Sequence, residues 1–401
     1  MTVRKRILFL AEGATMAHFV RPLALAEALE PNRYEIHFYA PSRYSGYLKD
    51  RPFIAGDLAS MPGEQFLDNL AKGQPLFSAA TIRDYVTQDR ELIRNIRPDL
   101  VIGDMRLSLP ISARKEGTPY AVLFNAYWSP FAKRRWVVPS LPITRILPPR
   151  YFGAMYRAAD PLVNALHARE MNKVRREFGI PDLPPDLRAM YTDGDYVLYP
   201  DIPEFVPTPG RPGTHQYVGI CPWSPPTAKP DWWDRMRSDP KPKVFVSLGS
   251  SGPLEALPAL LRALSRLPVA VILASSGRQV PVESGAYTAA LLPFTETAKE
   301  ASVVVSHGGS GGLYPAIAAG TPVLGIPSNA DQHMSTAVLE ENGPGLGIRV
   351  EEASEKRLFQ CLEKLLLEPQ YRRSAQEWAA VYARYDSGEM FRRFVAEVAP
   401  D

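Results

Sequence analysis

The residues best placed to do chemistry in this 401-residue chain gather at turns. The densest group is His307-Gly308-Gly309-Ser310-Gly311-Gly312, which follows the β-branched run 303–305 and precedes a small-residue helical segment, 313–319. A strand that becomes a helix through glycine lets a ligand approach the backbone closely. It also leaves the first N–H groups of the helix without intrahelical partners, with the positive end of the helix dipole behind them. Such a turn suits an anion, most often a phosphate, although any parallel α/β fold carries glycine where strands turn into helices. Its surroundings favour the anion: His307 leads the turn, a second strand over 323–326 follows at βαβ spacing, and Asp331 and Gln332 stand at that strand's exit. Ligands of open α/β sheets bind outside the carboxyl ends of the strands. A second glycine turn, Leu248-Gly249-Ser250-Ser251-Gly252, ends the strand 243–247, and two such turns fit one diphosphate. Two titratable groups stand apart from these turns. His18 lies at a loop-to-helix junction, where the backbone alone could satisfy it, and Asp104 closes a strand beginning at Asp99, where it could equally cap the next helix.

Positioning these groups takes alternating strands and helices. Residues 7–11 read as the first strand, 12–17 as a loop and 19–29 as a helix whose Pro22, Leu25, Ala26 and Leu29 share one face, with Pro22 expected in the first turn. Residues 34–40 form a second strand, 41–75 give no clear pattern, and 82–96 form a helix leading into the strand that ends at Asp104. Further strands are expected over 120–124, 195–201 and 216–220, followed by a proline-rich polar stretch to Pro230 that suits a domain boundary. The series then restarts: strand 243–247, helix 254–267, strands 269–275 and 289–294, the central His307 segment, and helices over 354–368, 371–385 and 388–398. This predicts an α/β protein of two domains, 1–220 and 221–386.

The central segment resembles the donor-binding signature of nucleotide-sugar-dependent glycosyltransferases of the natural-product family, such as those acting on macrolides and flavonoids. The matching residues are His307, Gly308, Gly309, Gly320, Pro322, Asp331 and Gln332. The resemblance implies the GT-B fold, two Rossmann-like domains facing each other across a cleft, with an N-terminal acceptor-binding domain and a C-terminal donor-binding one, and with the helix over 387–401 packing back on the first. It implies that His307, Gly309, Ser310, Gly311, Gly312 and Ser250 hold the donor diphosphate and that Asp331 and Gln332 bind the sugar hydroxyls. Near the N-terminus, Gly13, His18 and Pro22 match the motif that carries the family's catalytic base, with Ala17 in place of the usual Gly. Asp104 stands where the family's aspartate hydrogen-bonds that histidine. Two departures concern the nucleoside. Pro315 replaces a Glu that grips the ribose hydroxyls, and in Leu292-Pro293-Phe294 the Phe replaces a Gln beside the base, so Leu292 and Phe294 are the nucleoside-binding candidates and both uridine and deoxythymidine donors stay open.

The family places acceptor recognition in the first half, where Trp128, Phe131 and Trp136 are the candidate lining. Ten Lys or Arg over residues 133–176 against Asp160 and Glu170 leave an excess of eight positive charges. That run reads either as a solvated face or as one attracting an anionic acceptor or an anionic membrane surface. The whole chain carries only +3, which gives no case for nucleic acid as a partner. Cys221 and Cys361 are far apart and suggest reduced thiols, the six histidines show no metal-ligand spacing, and no stretch approaches the roughly 20 apolar residues of a membrane span. The expectation is a cytoplasmic inverting glycosyltransferase that moves a hexose from a UDP- or dTDP-sugar to a hydroxyl of a small-molecule or lipid-like acceptor. His18 would be its general base, oriented by Asp104, and it would use neither cofactor nor metal. The alternatives are a nucleotide-sugar epimerase or hydrolase on the same fold and a donor-binding partner protein with weak catalysis.

Overall fold

The computed structural model describes residues 4–222, 224, 227–280 and 285–400, and the chain divides into two units. One comprises Met1–Arg134, Phe152–Trp223 and Tyr385–Asp401; the other comprises Arg135–Tyr151 and Ser224–Arg384. Among the described residues no helix is long and apolar enough to cross a membrane.

The strands of the first unit are β1 (Lys5–Ala11), β2 (Tyr34–Ala40), β3 (Phe53–Asp57), β4 (Leu100–Asp104), β5 (Tyr120–Leu123), β6 (Tyr196–Tyr199) and β7 (His215–Tyr217). The second unit holds β8 (Lys243–Ser247), β9 (Ala270–Ala274), β10 (Tyr287–Ala289), β11 (Val303–Ser306), β12 (Val323–Gly325) and β13 (Gly345–Gly347). Along the chain the helices are α1 (Ala17–Glu27), α2 (Gly63–Lys72), α3 (Ala79–Ile96), α4 (Leu109–Glu116), α5 (Pro142–Ile146), α6 (Pro149–Glu177) and α7 (Leu187–Tyr191). There follow α8 (Trp233–Ser238), α9 (Leu257–Ser265), α10 (Phe294–Glu300), α11 (Ser310–Ala318), α12 (Ala330–Asn342), α13 (Glu355–Leu367), α14 (Pro369–Tyr382) and α15 (Ser387–Val398).

Both sheets are parallel, with orders β3-β2-β1-β4-β5-β6-β7 and β10-β9-β8-β11-β12-β13. Continuous apolar runs explain them: Ile7 to Ala11 and Val303 to Val305 are fully buried, as strands covered by helices on both faces must be. In each sheet the order reverses once beside the first strand, between β1 and β4 and between β8 and β11. Crevices at such reversals are where open α/β sheets bind ligands. Register puts Ala11 level with Asp104 in the first unit and Ser247 level with Ser306 in the second. The C-terminal α15 inserts Phe391, Phe394 and Val395 into the first unit's core with Phe9, Phe38 and Ala26.

Four details differ from the sequence reading. Helix α1 starts at Ala17, so Pro22 lies inside the helix rather than in its first turn and has no N–H to give the carbonyl of His18. Strand β3 lies in the stretch without clear pattern; as an edge strand with exposed and half-buried positions it has no apolar run to announce it. Strand β10 stops at Ala289 and Phe294 opens α10, so Phe294 belongs to a helix and not to a strand end.

The largest correction concerns 135–151, which a boundary at 220 assigns to the first domain. Those residues belong to the second unit: Ser140 N donates to Ser328 O at 2.8 Å, Arg349 Nη1 donates to Val138 O at 2.9 Å, and Ser140 Oγ donates to Glu351 at 2.6 Å. Chain path thus separates Trp136, in this strap, from Trp128 and Phe131 in the first unit. The basic run is also less bare than its count suggests. Arg134, Arg135, Arg145, Arg150, Arg175 and Arg176 pair with Asp160, Glu341, Glu255, Glu352, Asp193 and Asp182, most of them acids from distant sequence.

Candidate active site

At the β1–β4 reversal the first unit builds a buried polar cluster around Asp104, whose side chain is fully buried at the end of β4. His18, on the first turn of α1, places Nδ1 2.8 Å from Asp104 Oδ1. A carboxylate only accepts, so this contact puts a proton on Nδ1, and in the neutral imidazole the lone pair is then on Nε2; Arg21 Nη2, 3.1 Å from the same Nδ1, is itself a donor and forms no hydrogen bond with the ring in this tautomer. Sequence reasoning finds this pair but misses what surrounds it. Arg21, one turn further along α1, donates to both carboxylate oxygens, Nε to Oδ2 at 2.8 Å and Nη2 to Oδ1 at 2.7 Å. Its Nη1 donates to Asn125 Oδ1 at 2.6 Å, and Asn125 Nδ2 donates to Asp201 at 3.1 Å. A buried carboxylate is tolerable only with such partners. The i, i+3 spacing of His18 and Arg21 was the available signal, since it puts both on one helix face.

The backbone beneath is also fixed. Met105 has φ of 57°, uncommon for a residue with a side chain, and turns the chain directly after Asp104. Arg106, fully buried, then donates to Asp89 at 2.9 Å and to Glu12 at 3.1 Å, tying the exits of β1 and β4 to α3. Burial pushes the Glu12 carboxyl above its ordinary value, with Arg106 opposing.

In the second unit the β8–β11 reversal brings two glycine turns together. Helix α11 starts at Ser310 with Gly309 as N-cap, and no side chain caps it. His307 lies between the turns: a Cβ at Gly309 would sit 2.6 Å from its Nε2, and one at Gly252 would sit 2.8 Å from its Cβ. At Gly252 glycine is a steric requirement, since a Cβ there would also sit 2.1 Å from the backbone Leu248 O. Burial pulls the His307 imidazole down to about 4, with Asp331 opposing and Arg278 adding to the effect, so at neutral pH it is uncharged. Its Nδ1 is buried without a hydrogen-bond partner.

Asp331 and Gln332 lie in the first turn of α12, capped by Asn329. Gln332 is buried; its Oε1 accepts from Ser328 N at 2.9 Å and its Nε2 approaches Ser251 O at 3.5 Å, so it bridges toward the 249–252 turn. Ser250 is exposed in that turn, as is Gly311 in α11, while Ser310 and Gly312 are buried. A residue absent from the sequence reading, Arg278, lies at the exit of β9 and donates to the carbonyls of Gly249 and Gly252.

The nucleoside and acceptor candidates take the following places. Leu292 is buried, and Phe294 packs its ring 5.1 Å from that of Phe245 in β8. Trp128 is 9% exposed in an aromatic cluster with Phe124 and Tyr191, and Phe131 packs edge-on against His215. Trp136 is 46% exposed.

With this geometry in hand, similarity to known proteins is informative. The C-terminal domain of the erythromycin biosynthesis protein CIII-like family matches residues 259–389. A PGL/p-HBAD biosynthesis glycosyltransferase of Mycobacterium tuberculosis is 41% identical over 381 residues, covering 94% of this chain and 89% of that protein. A PGL/p-HBAD biosynthesis rhamnosyltransferase of Mycobacterium bovis is 40% identical over 383 residues, covering 95% and 85%. Among solved structures, the spinosyn rhamnosyltransferase SpnG complexed with thymidine diphosphate has a TM-score of 0.69 at 16% identity, covering 98% of this chain and 100% of that one. Two parallel α/β units and 40–41% identity over nearly the whole chain to named glycosyltransferases lead to one conclusion: the chain belongs to the GT-B glycosyltransferases with an erythromycin CIII-like C-terminal domain.

Proposed function

We propose that this glycosyltransferase moves a hexose from a nucleoside diphosphate sugar to a hydroxyl of a small-molecule or lipid-like acceptor, with inversion at the anomeric carbon. The observation that carries this reading is the His18–Asp104 contact at 2.8 Å, with the carboxylate clamped by Arg21. His18 Nε2 takes the acceptor's proton as that oxygen bonds to the anomeric carbon. The bond from that carbon to the diphosphate breaks, and its electron pair leaves with the diphosphate. A positioned base contributes on the order of 10² to 10⁴ in rate.

Charge then gathers on the diphosphate, where the N-terminus of α11 and the turn 249–252 offer dipoles already oriented. His307 enters this scheme as an uncharged imidazole. No metal takes part in the scheme, and chelator is expected to leave the rate unchanged. Asp331 and Gln332 are assigned to the sugar. The relative named a rhamnosyltransferase and the neighbour complexed with thymidine diphosphate support dTDP-rhamnose as the first donor to try, with UDP-sugars the comparison.

Two measurements test the reading. Thermal shifts with dTDP, UDP and GDP should show one preferred nucleotide, and a ligand at a hundred times its Kd stabilises by about 2.7 kcal/mol. The anomeric configuration of the product, read by NMR coupling, should be opposite to that of the donor; retention would overturn the direct-displacement scheme.

A further inference from the structure

The glycine turn after β8 is held from one side by a guanidinium. Arg278 Nη1 donates to Gly252 O at 2.8 Å and Nη2 donates to Gly249 O at 2.5 Å, so one side chain grips both ends of the turn. Its Nε is buried and has no hydrogen-bond partner, an uncommon state for a charged donor. The backbone that presents it is unusual as well: Ser276 and Gly277 have φ of 54° and 76°, and Arg278 N closes the turn on Ser275 O at 3.1 Å. A non-glycine residue held at positive φ marks a position that the fold over-determines. β9, β8 and β11 are neighbours in the sheet, so the loops carrying Arg278, the 249–252 turn and His307 leave from three adjacent strand ends.

Peptide geometry gives the grip a consequence. A trans peptide points its carbonyl and its N–H in opposite directions, so the Gly249 carbonyl aimed at Arg278 turns the N–H of Ser250 away from it. Ser250 is an exposed residue of the turn. The guanidinium also brings charge. Burial holds Arg278 below the usual arginine value, yet an arginine stays protonated at neutral pH, and its field is among those acting on His307.

We propose that Arg278 is a positioning residue for the donor's leaving diphosphate: by holding the carbonyls of Gly249 and Gly252 it fixes the turn with the Ser250 N–H turned away from the guanidinium, and it places a permanent positive charge behind that turn. The inference rests on the donor site assigned above. It divides the work of the site: the turn and α11 supply dipoles, and Arg278 supplies the charge that an uncharged histidine does not.

Arg278→Met, Arg278→Gln and Arg278→Lys separate the parts of the role. Binding of dTDP, or of UDP if that is the preferred nucleotide, is measured by calorimetry from 50 to 300 mM salt, beside donor KM and kcat and the melting temperature. Arg278→Met is expected to weaken nucleoside diphosphate binding tenfold or more and to flatten its salt dependence. Arg278→Gln should keep N–H donors for the turn but lose the charge, so its salt dependence should be as flat as that of Arg278→Met with a smaller loss in affinity. Arg278→Lys should recover the salt dependence. These variants also guard against misfolding of any one of them. Arg278→Met and Arg278→Gln binding within twofold of wild type with the wild-type salt dependence would overturn the inference. Wild-type protein that binds no nucleoside diphosphate would instead overturn the donor site itself.

Discussion

At the scale of single residues, the partners of buried Asp104 decide how the base is held. The aspartate side chain is fully buried and its two oxygens accept from Arg21 and His18, so each partner's removal has a definite effect. Arg21→Met leaves a buried carboxylate with only the histidine. Breaking a buried pair on one side costs about 3–5 kcal/mol, and urea denaturation should show a loss of that order together with a drop in kcat. Asp104→Asn is expected to keep the fold better, since Arg21 can still donate to the amide oxygen, but to lower kcat because an amide no longer fixes the proton on Nδ1; a wild-type kcat would contradict the orientation assigned to His18. His18 and Asp104 were legible in the sequence as a histidine at a loop-to-helix junction and an aspartate closing a strand. Arg21 and Asn125 were not, because their meaning depends on partners 83 and 104 residues away.

At the scale of elements, the exits of β1 and β4 are locked by Arg106 between Glu12 and Asp89, all three fully buried. Arg106→Met should cost about 3–5 kcal/mol by leaving two buried carboxylates without their cation, detectable as a fall in the first unit's denaturation midpoint. Helix α15 closes the same unit from the far end of the sequence. Phe391 is fully buried against Phe9, their rings 6.1 Å apart, and Phe391→Ala is expected to cost about 3–5 kcal/mol, measured in the same way. The central strands were legible because buried parallel strands are written as apolar runs such as 7–11 and 303–305. Edge strand β3 was not, and neither was the strap 135–151, whose attachment to the second unit rests on side chains such as Ser140 and Arg349 with no periodic pattern.

For the whole molecule, four buried or half-buried histidines contribute to the pH response. Burial pulls His333 down to about 3 and His307 to about 4, and it lowers His167 and His215 as well, against an ordinary value of 6.5. A depressed histidine stays neutral in the folded chain while the unfolded chain takes up a proton, so stability is lost as pH falls through about 6.5 and the loss continues toward the folded value. The raised carboxyls of Glu12 and Glu340 act in the opposite sense above about 4.5, so a comparison with a variant isolates one histidine. His333→Gln, which keeps a polar side chain beside Ser140, should gain stability relative to wild type on going from pH 7 to pH 4, by on the order of 3 kcal/mol. A difference that does not change with pH would contradict the burial assigned to His333.

The most direct test of the central claim is the transfer rate of His18→Ala at saturating donor, measured beside its affinity for the preferred nucleoside diphosphate. The account predicts a kcat lower by roughly 10² to 10⁴ with nucleotide affinity within about twofold of wild type, because the base and the diphosphate turns belong to different units. Wild-type turnover in His18→Ala would contradict it.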